Sequence, residues 1–557
     1  MKVTLDKGIV HVACRGIELL SLRAEFAKRI RALVAFDAGG ISFPVSYLAQ
    51  VDDLLGSAEK DNETHAVLER IRLHSAAREM ALARVGDLQQ PSLSGDWNEK
   101  LEPAQAAAVS AMTVPNLFGL CLFDEQGSGK TVMSIAAFDE LRGRDEVDAM
   151  IVVCPKSMVS EWKKEVHRFL GSTLKVEVAE GDRRHRFETS QLPFDVLVSN
   201  FEGIEPMAVS LIATAATRKY LLVVDESYYL KNSDSMRSAM VGRLRPSCSR
   251  CFVLCGTPAP NSAHDLINQF DLADLGFTFS GFVRSSDADH DWSTIADLVE
   301  KRGVCIRRLK TEILKHVPQK RFHVERVSLS GKQAMLYEKA RSELLLDLRS
   351  LNNESFKRKL MSYFQRRSVL LQICSSPSAI DPTFAEVPAK YKMLDGLLSD
   401  LISQGRKVVV WSFYRRSLDE MMDRYSNYDP VRIDGSVSSG GRSAAVCEFQ
   451  ENPSRMLFVG NPAAAGSGIT LHAAYDAVYL SYSNQAAHYL QSLDRIHRRG
   501  QVSDEVNYHL LVCAGTIEET EIVRLRGKEV RQHNLLRDQV SFPSTLDEAL
   551  AELGGHA

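Results

Sequence analysis

The sequence predicts an α/β protein with two parallel-sheet lobes, a helical section between them and a small accessory region in front. Two observations carry that expectation. Short apolar, β-rich runs end in polar or glycine-containing turns, the pattern of strands buried on both faces. One group covers residues 117–123, 150–154, 195–199, 220–224 and 251–255; a second covers 407–411, 455–459 and 477–480. Helical patterns separate most of them, as at 132–142, 157–170 and 416–425, and strand–helix alternation at this spacing builds parallel sheets.

The interval between the two groups is mostly helical in pattern and rich in Arg and Lys. Ahead of both, residues 2–12 read as strand, and 18–36 and 63–84 as helix, the latter opening on the capping-type residues Asn62 and Thr64. Beyond about residue 540 a short amphipathic helix is expected. The resulting boundaries are 1–95 for the accessory domain, 96–275 for the first lobe, 276–390 for the helical section, 391–530 for the second lobe and 531–557 for the tail.

Composition narrows the function. A chain of 557 residues, 45% hydrophobic and 25% charged, has the mix of a well-cored, multi-domain globular protein. It contains no long apolar run that could span a bilayer. Asp6 and Lys7 stand where a signal peptide needs its apolar stretch, so a cytoplasmic location is expected, or a nuclear one in a eukaryote. The net charge of −3 excludes a globally basic coat and leaves nucleic acid only a local patch. Ten cysteines fit a reduced compartment. Cys248, Cys251 and Cys255, with His264 nearby, carry a zinc-like spacing, but the apolar run through Cys251 and Cys255 reads as buried thiols.

The run at 117–123 leads into Asp124-Glu-Gln-Gly-Ser-Gly-Lys-Thr131 and then a helix, which is the layout of a P-loop. Gly127 and Gly129 let the backbone bend so that its N–H groups, with those of Gln126 and Ser128, face a phosphate chain at a helix N-terminus. Lys130 is the expected phosphate-bridging lysine and Thr131 the expected Mg²⁺ ligand. Asp124 occupies the place where the strict spacing has its first glycine. The run at 220–224 ends in Asp225 and Glu226, at the strand end where α/β ligands bind. Asp225 fits a metal-holding carboxylate, and Glu226 a residue that orients or deprotonates an attacking water.

From about residue 98 to about 530 the chain resembles the Swi/Snf-type ATP-dependent DNA translocases of helicase superfamily two. Their blocks occur in order: Leu101-Glu-Pro-Ala-Gln105; the P-loop; Pro155-Lys-Ser-Met-Val-Ser-Glu-Trp162 with Glu165; Asp225-Glu-Ser-Tyr228 with Leu230-Lys-Asn232; and Gly256-Thr-Pro258 with Asn261. Ile306-Arg-Arg-Leu-Lys310, Val317-Pro-Gln-Lys320 and Leu371-Gln-Ile-Cys374 with Pro377 follow. The last are Val410-Trp-Ser-Phe413, Ile433-Asp-Gly435, Gly466-Ser-Gly-Ile-Thr-Leu471, Gln491 to Gln501 and Gly515-Thr-Ile-Glu-Glu519. Three positions depart from the family pattern: Ala104 for an aromatic, Tyr228 for a histidine that couples hydrolysis to the other blocks, and Thr470 for an asparagine in a segment that senses nucleotide and DNA.

The resemblance implies two RecA-like lobes, ATP and Mg²⁺ as cofactors, and double-stranded DNA as the partner of a nucleoid-associated or nuclear motor. It assigns Gln105 to the adenine, Gly468 to the nucleotide, and Gln491, Arg495 and Arg498 to catalysis. A helical pattern over 491–498 places Arg495 and Arg498 on one face. Arg498 is the preferred arginine finger, while Arg495 serves the phosphate or the lobe interface. Expected DNA contacts are Lys156, Ser157, Ser199, Asn200, Thr257, Ser412, Arg307 and Arg308, groups that bind phosphate without reading bases. A further cluster, Lys357, Arg358, Lys359, Arg366 and Arg367, suits either DNA or a solvated helix face. The expected activity is ATP-driven movement on duplex DNA. A strand-separating DNA or RNA helicase and a nucleotide-gated motor subunit are the alternatives, and a protein partner is expected on the accessory domain.

Overall fold

The computed structural model describes residues 1–557 except 7–8, 30–34, 38, 45–47, 88–92, 260–261, 286, 315–316, 330, 465–468, 483–485, 499, 531–542, 544 and 555–557. The chain forms two compact units, Met1–Ile313 and Leu314–Ala557.

The first unit opens with a mixed five-stranded sheet of β1 (Lys2–Asp6), β2 (Ile9–Ala13), β3 (Ala35–Asp37), β4 (Gly40–Pro44) and β5 (Glu59–Lys60), in the order β3-β4-β2-β1-β5. Helix Ile17–Arg29 ends before the region expected to continue as helix, and Ala35–Asp37 is a strand because it pairs antiparallel with β4. Val3, Val10, Val12, Phe26, Ile41 and Phe43 form this sheet's core. The 25-residue helix Asn62–Gly86 then runs on to the next sheet, capped by Asp61, whose side chain accepts from the Thr64 N–H. His74 on that helix is fully buried and stacks on Phe118 at 4.2 Å between ring centroids. Its Nδ1 accepts the Phe118 backbone N–H at 3.2 Å.

The second sheet of this unit holds β6 (Gly119–Leu122), β7 (Ala149–Cys154), β8 (Val176–Ala179), β9 (Val196–Asn200), β10 (Tyr220–Asp225), β11 (Arg250–Leu254) and β12 (Cys305–Ile306). All run parallel, in the order β12-β6-β11-β10-β7-β9-β8. Every residue of β6, β7, β9, β10 and β11 is buried, which is why these strands read as continuous apolar runs.

The other unit has its own parallel sheet of β13 (Gln319–Ser328), β14 (Val408–Trp411), β15 (Val431–Ile433), β16 (Leu457–Gly460), β17 (Asp476–Tyr479) and β18 (Glu505–Ala514), in the order β13-β18-β17-β14-β16-β15. The interval expected to be helical therefore supplies a strand to each sheet, β12 to the first and β13 to the second. The remainder of it is helical as expected, including Gly331–Arg349 and Leu360–Ser375.

Helix Leu546–Glu552 is the last described helix of this unit. Its Glu552 pairs at 2.7 Å with Arg367, which also meets Glu521 at 2.6 Å; Arg367 is fully buried. Arg366 pairs with Asp347. The solvated-or-DNA cluster thus loses Arg367 to a buried ion-pair network, while Lys357, Arg358, Lys359 and Arg366 stay exposed. Deeper in this unit, buried Lys390 donates to Glu518 at 2.6 Å and to the Leu480 carbonyl at 2.8 Å, with Cys374 and Cys513 alongside.

Candidate active site

The loop after β6 folds as its glycines require. Gly127 and Gly129 adopt φ of 80° and 93°, a left-handed region that costs other residues 1–2 kcal/mol or roughly that. Gly129 caps helix Lys130–Gly143, so the turn presents the helix N-terminus to the loop's concave side. A Cβ at Gly129 would lie 2.4 Å from Gln105 Nε2, and one at Gly256 would lie 2.4 Å from Gln126 Cγ. Both positions must lack a side chain for the P-loop to pack between the Gln105 helix and the Gly256-Thr-Pro258 turn. Lys130 Nζ donates to the Asp124 and Glu125 carbonyls at 2.8 and 3.2 Å, which holds the ammonium over the loop.

The carboxylates stand at the end of β10. Asp225 Oδ2 accepts the Trp162 indole N–H at 2.9 Å, and its Oδ1 accepts the Glu226 backbone N–H at 2.9 Å. Burial raises the Asp225 carboxyl above its ordinary pKa, against the pull of the Trp162 donor and the Lys130 charge. Glu226 Oε1 accepts from Gln126 Nε2 at 2.9 Å, which ties the carboxylate pair to the P-loop. Glu226 sits at φ 51°, ψ 52°, a left-handed backbone that turns its side chain off the strand line.

These residues fit a nucleotide triphosphate with a divalent metal. Ser128 Oγ in the P-loop, Thr257 Oγ1 beyond β11 and Gln126 Oε1 are buried and have no hydrogen-bond partner. Buried polar atoms are normally satisfied, and the Ser128 hydroxyl just before a helix N-terminus suits phosphate oxygens. Thr131 and Asp225 supply the oxygen donors that magnesium prefers.

Several of the expected site residues have internal partners in this structure. Gln105, expected on adenine, is buried: its Oε1 accepts from the Glu102 N–H at 3.0 Å and its Nε2 donates to the Ser128 carbonyl at 2.7 Å, so it braces the P-loop and caps its own helix. Arg308, expected on DNA, forms an ion pair with fully buried Asp124 at 2.6 Å, and its backbone N–H donates to the same carboxylate at 2.8 Å. The buried carboxylate of Asp124 is thus the partner of the half-buried Arg308 guanidinium, which explains a carboxylate in a glycine's usual place. Arg307 donates to the Phe123 and Gly256 carbonyls at 2.5 and 3.1 Å. Lys310 lies beside Glu125, its Nζ 3.9 Å from the carboxylate, and is itself 1% exposed.

Other DNA assignments meet the same obstacle. Ser199 is buried with its hydroxyl on the Asn200 carbonyl at 3.2 Å; Asn200 is held by Arg186 at 2.7 Å and Glu202 at 2.8 Å. Ser412 is buried against Ser481 at 2.9 Å. Lys156 is exposed at the start of the short helix Lys156–Met158, with Ser157 half-buried beside it. Tyr228 packs on Tyr229 at 4.4 Å between centroids.

In the second unit the helix expected over 491–498 stops at Leu493. Arg495 and Arg498 lie in the following turn, and they converge through a shared acceptor: both donate to the Ile469 carbonyl, at 3.3 and 3.1 Å. Gln491 is buried nearby in sequence, its Nε2 without a hydrogen-bond partner. Gly468 and Asn261 lie outside the described residues. The three zinc-spaced thiols are buried, with burial pushing Cys251 up to about 11 and Cys248 and Cys255 up to about 12. His264 is instead committed to Asp291 at 2.8 Å.

Residues 104–379 match the SNF2-related domain, and residues 389–500 match the helicase conserved C-terminal domain. The chain belongs to the Swi/Snf family of helicase superfamily two. It is 30% identical over 472 residues to human SWI/SNF-related matrix-associated actin-dependent regulator of chromatin subfamily A member 1, covering 77% of this chain and 43% of that one. It is 25% identical over 447 residues to the uncharacterized ATP-dependent helicase MG018 of Mycoplasma genitalium, covering 79% and 42%. Against the Sulfolobus solfataricus SWI2/SNF2 ATPase core domain the identity is 22% and the TM-score 0.36, over 83% of this chain and 94% of that one. This Swi/Snf chain spans about half or less of the length of the curated relatives it matches. The two parallel sheets, not that superposition, establish its lobes.

Two residues of this Swi/Snf chain do work that their motif alone does not reveal. Trp162 anchors Asp225, and Arg308 anchors the P-loop through Asp124. Each pair joins segments far apart in sequence, so neither has a local signal.

Proposed function

We propose that the chain is an ATP-hydrolysing motor that translocates on double-stranded DNA to remodel DNA or protein–DNA complexes. The observation that carries the reading is the joined P-loop and carboxylate pair, Gln126 to Glu226 and Trp162 to Asp225. Backbone N–H groups of 126–130 with Lys130 bind the triphosphate, and Thr131 and Asp225 would hold magnesium, which would offset phosphate charge. Glu226 orients the attacking water and takes its proton at a carboxylate oxygen. Arg498, with Arg495 beside it, neutralises charge developing on the transferred phosphoryl oxygens. Lys156 and Ser157 are the accessible phosphate contacts of the first unit, and the sheet domain at the N-terminus is the surface for a protein partner.

ATP hydrolysis tests this, measured without nucleic acid and with single-stranded DNA, duplex DNA or RNA. Stimulation mainly by duplex, lost in Lys130→Ala and Glu226→Gln, is expected and leads to a triplex-displacement assay for translocation. Stimulation only by single strands or RNA replaces the reading with a helicase. Hydrolysis by neither variant nor wild type under any condition makes the chain a subunit whose chemistry needs a partner.

A further inference from the structure

Thr470 departs from the family pattern, and its surroundings give that departure a task. The Thr470 hydroxyl accepts from Arg498 NH1, the same nitrogen that donates to the Ile469 carbonyl at 3.1 Å. Both hydrogens of NH1 thus point at two consecutive residues of one loop. The backbone is tied as well: the Leu471 N–H donates to the Arg495 carbonyl at 2.8 Å, and Gln501 Nε2 bridges the Ile496 and Ala474 carbonyls at 3.0 and 2.9 Å. Residues 469–471 and the arginine turn are therefore tied together, with the guanidinium held at one of its two terminal nitrogens.

We propose that Thr470 is a positioning residue for catalysis, aiming the Arg498 guanidinium by one hydroxyl–guanidinium hydrogen bond. The proposal rests on the reading of Arg498 as the finger. A threonine hydroxyl is carried directly on Cβ, so it holds the guanidinium against the loop backbone with little rotational slack. A planar fork whose NH1 edge is fixed presents its remaining face in a constant direction, and a group that acts on transition-state charge gains most from such preorganisation. Arg498 is the described hydrogen-bond partner of the hydroxyl, so the threonine acts through that arginine.

Thr470→Val keeps shape and volume and removes the acceptor; Thr470→Ser keeps the acceptor. Assayed in the full chain with saturating duplex DNA, Thr470→Val is expected to lower kcat about 10-fold, the size of one charge-assisted hydrogen bond, with KM for ATP within about 2-fold of wild type. Thr470→Ser is expected to restore kcat, and affinity for ADP–aluminium fluoride is expected to fall in parallel with kcat. Adding Thr470→Val to Arg498→Ala should cost nothing further, because the hydroxyl then has no finger to aim. Wild-type kcat in Thr470→Val beside an inactive Arg498→Ala overturns the proposal. So does a Thr470→Val loss that appears as a lower melting midpoint and a raised KM, the mark of a structural role. If Arg498→Ala itself keeps wild-type kcat, the finger reading falls, and this inference with it.

Discussion

Trp162 and Asp225 make the sharpest case at the scale of single residues. The indole N–H is the side-chain donor to a carboxylate oxygen buried in a low-dielectric site, and an orphaned carboxylate oxygen there both loses orientation and resists charge. Trp162→Phe is expected to raise the magnesium concentration giving half-maximal hydrolysis about 5- to 10-fold, with nucleotide affinity nearly unchanged. A magnesium titration of ATPase rate, beside fluorescent nucleotide binding, measures both. The P-loop itself was legible from sequence because its chemistry is local: eight consecutive residues and the flanking strand and helix declare it. What holds the loop was not. Trp162 reaches Asp225 across 63 positions, and Arg308 reaches Asp124 across 184. A basic motif read alone suggests a nucleic-acid contact, whereas burial makes the same arginines internal struts.

Helix Asn62–Gly86 carries a prediction at the scale of an element. It docks on the nucleotide-binding sheet through His74, and Arg78 adds a 3.0 Å bond to the Gly303 carbonyl. Burial, then the charges of Arg245, Arg78 and Arg250, depress the His74 pKa to about 4 from 6.5. The unfolded chain binds this proton first as pH falls. The neutral ring therefore contributes stability fully above pH 6.5 and progressively less down to 4, by about 3 kcal/mol at most. Urea unfolding of wild type and His74→Gln between those limits should show a pH slope in the former that the latter lacks. This helix was legible from its periodicity, as were the buried strands. Edge strands were not: β13 holds three apolar residues among seven polar or charged ones with none fully buried, so only its pairing with β18 defines it. β12 is two residues long and β15 three, too short for any period to register.

At the scale of the whole molecule, a net charge of −3 limits how DNA can be held. Arg307 and Arg308 are internally bonded, and Ser199, Asn200 and Ser412 are neutral and internally bonded, so of the expected DNA contacts Lys156 is the exposed cation. Duplex affinity measured by anisotropy across salt should give a log–log slope of about −3 or shallower. A slope steeper than about −5 would instead assign the grip to the exposed cluster Lys357, Arg358 and Lys359. Among the described residues no helix is long and apolar enough to cross a membrane.

Lys310 in the first unit and Lys390 in the second are the two lysines sealed from solvent among the described residues, at 1% and 0% exposure. An amine-reactive reagent can acylate the surface lysines of the native chain while these two stay shielded. Each becomes a clock for the opening of its own unit. Modification of Lys310 without Lys390 would register a loosened P-loop brace inside an intact second unit, and the reverse order would register the opposite event, in one digest of one labelled sample.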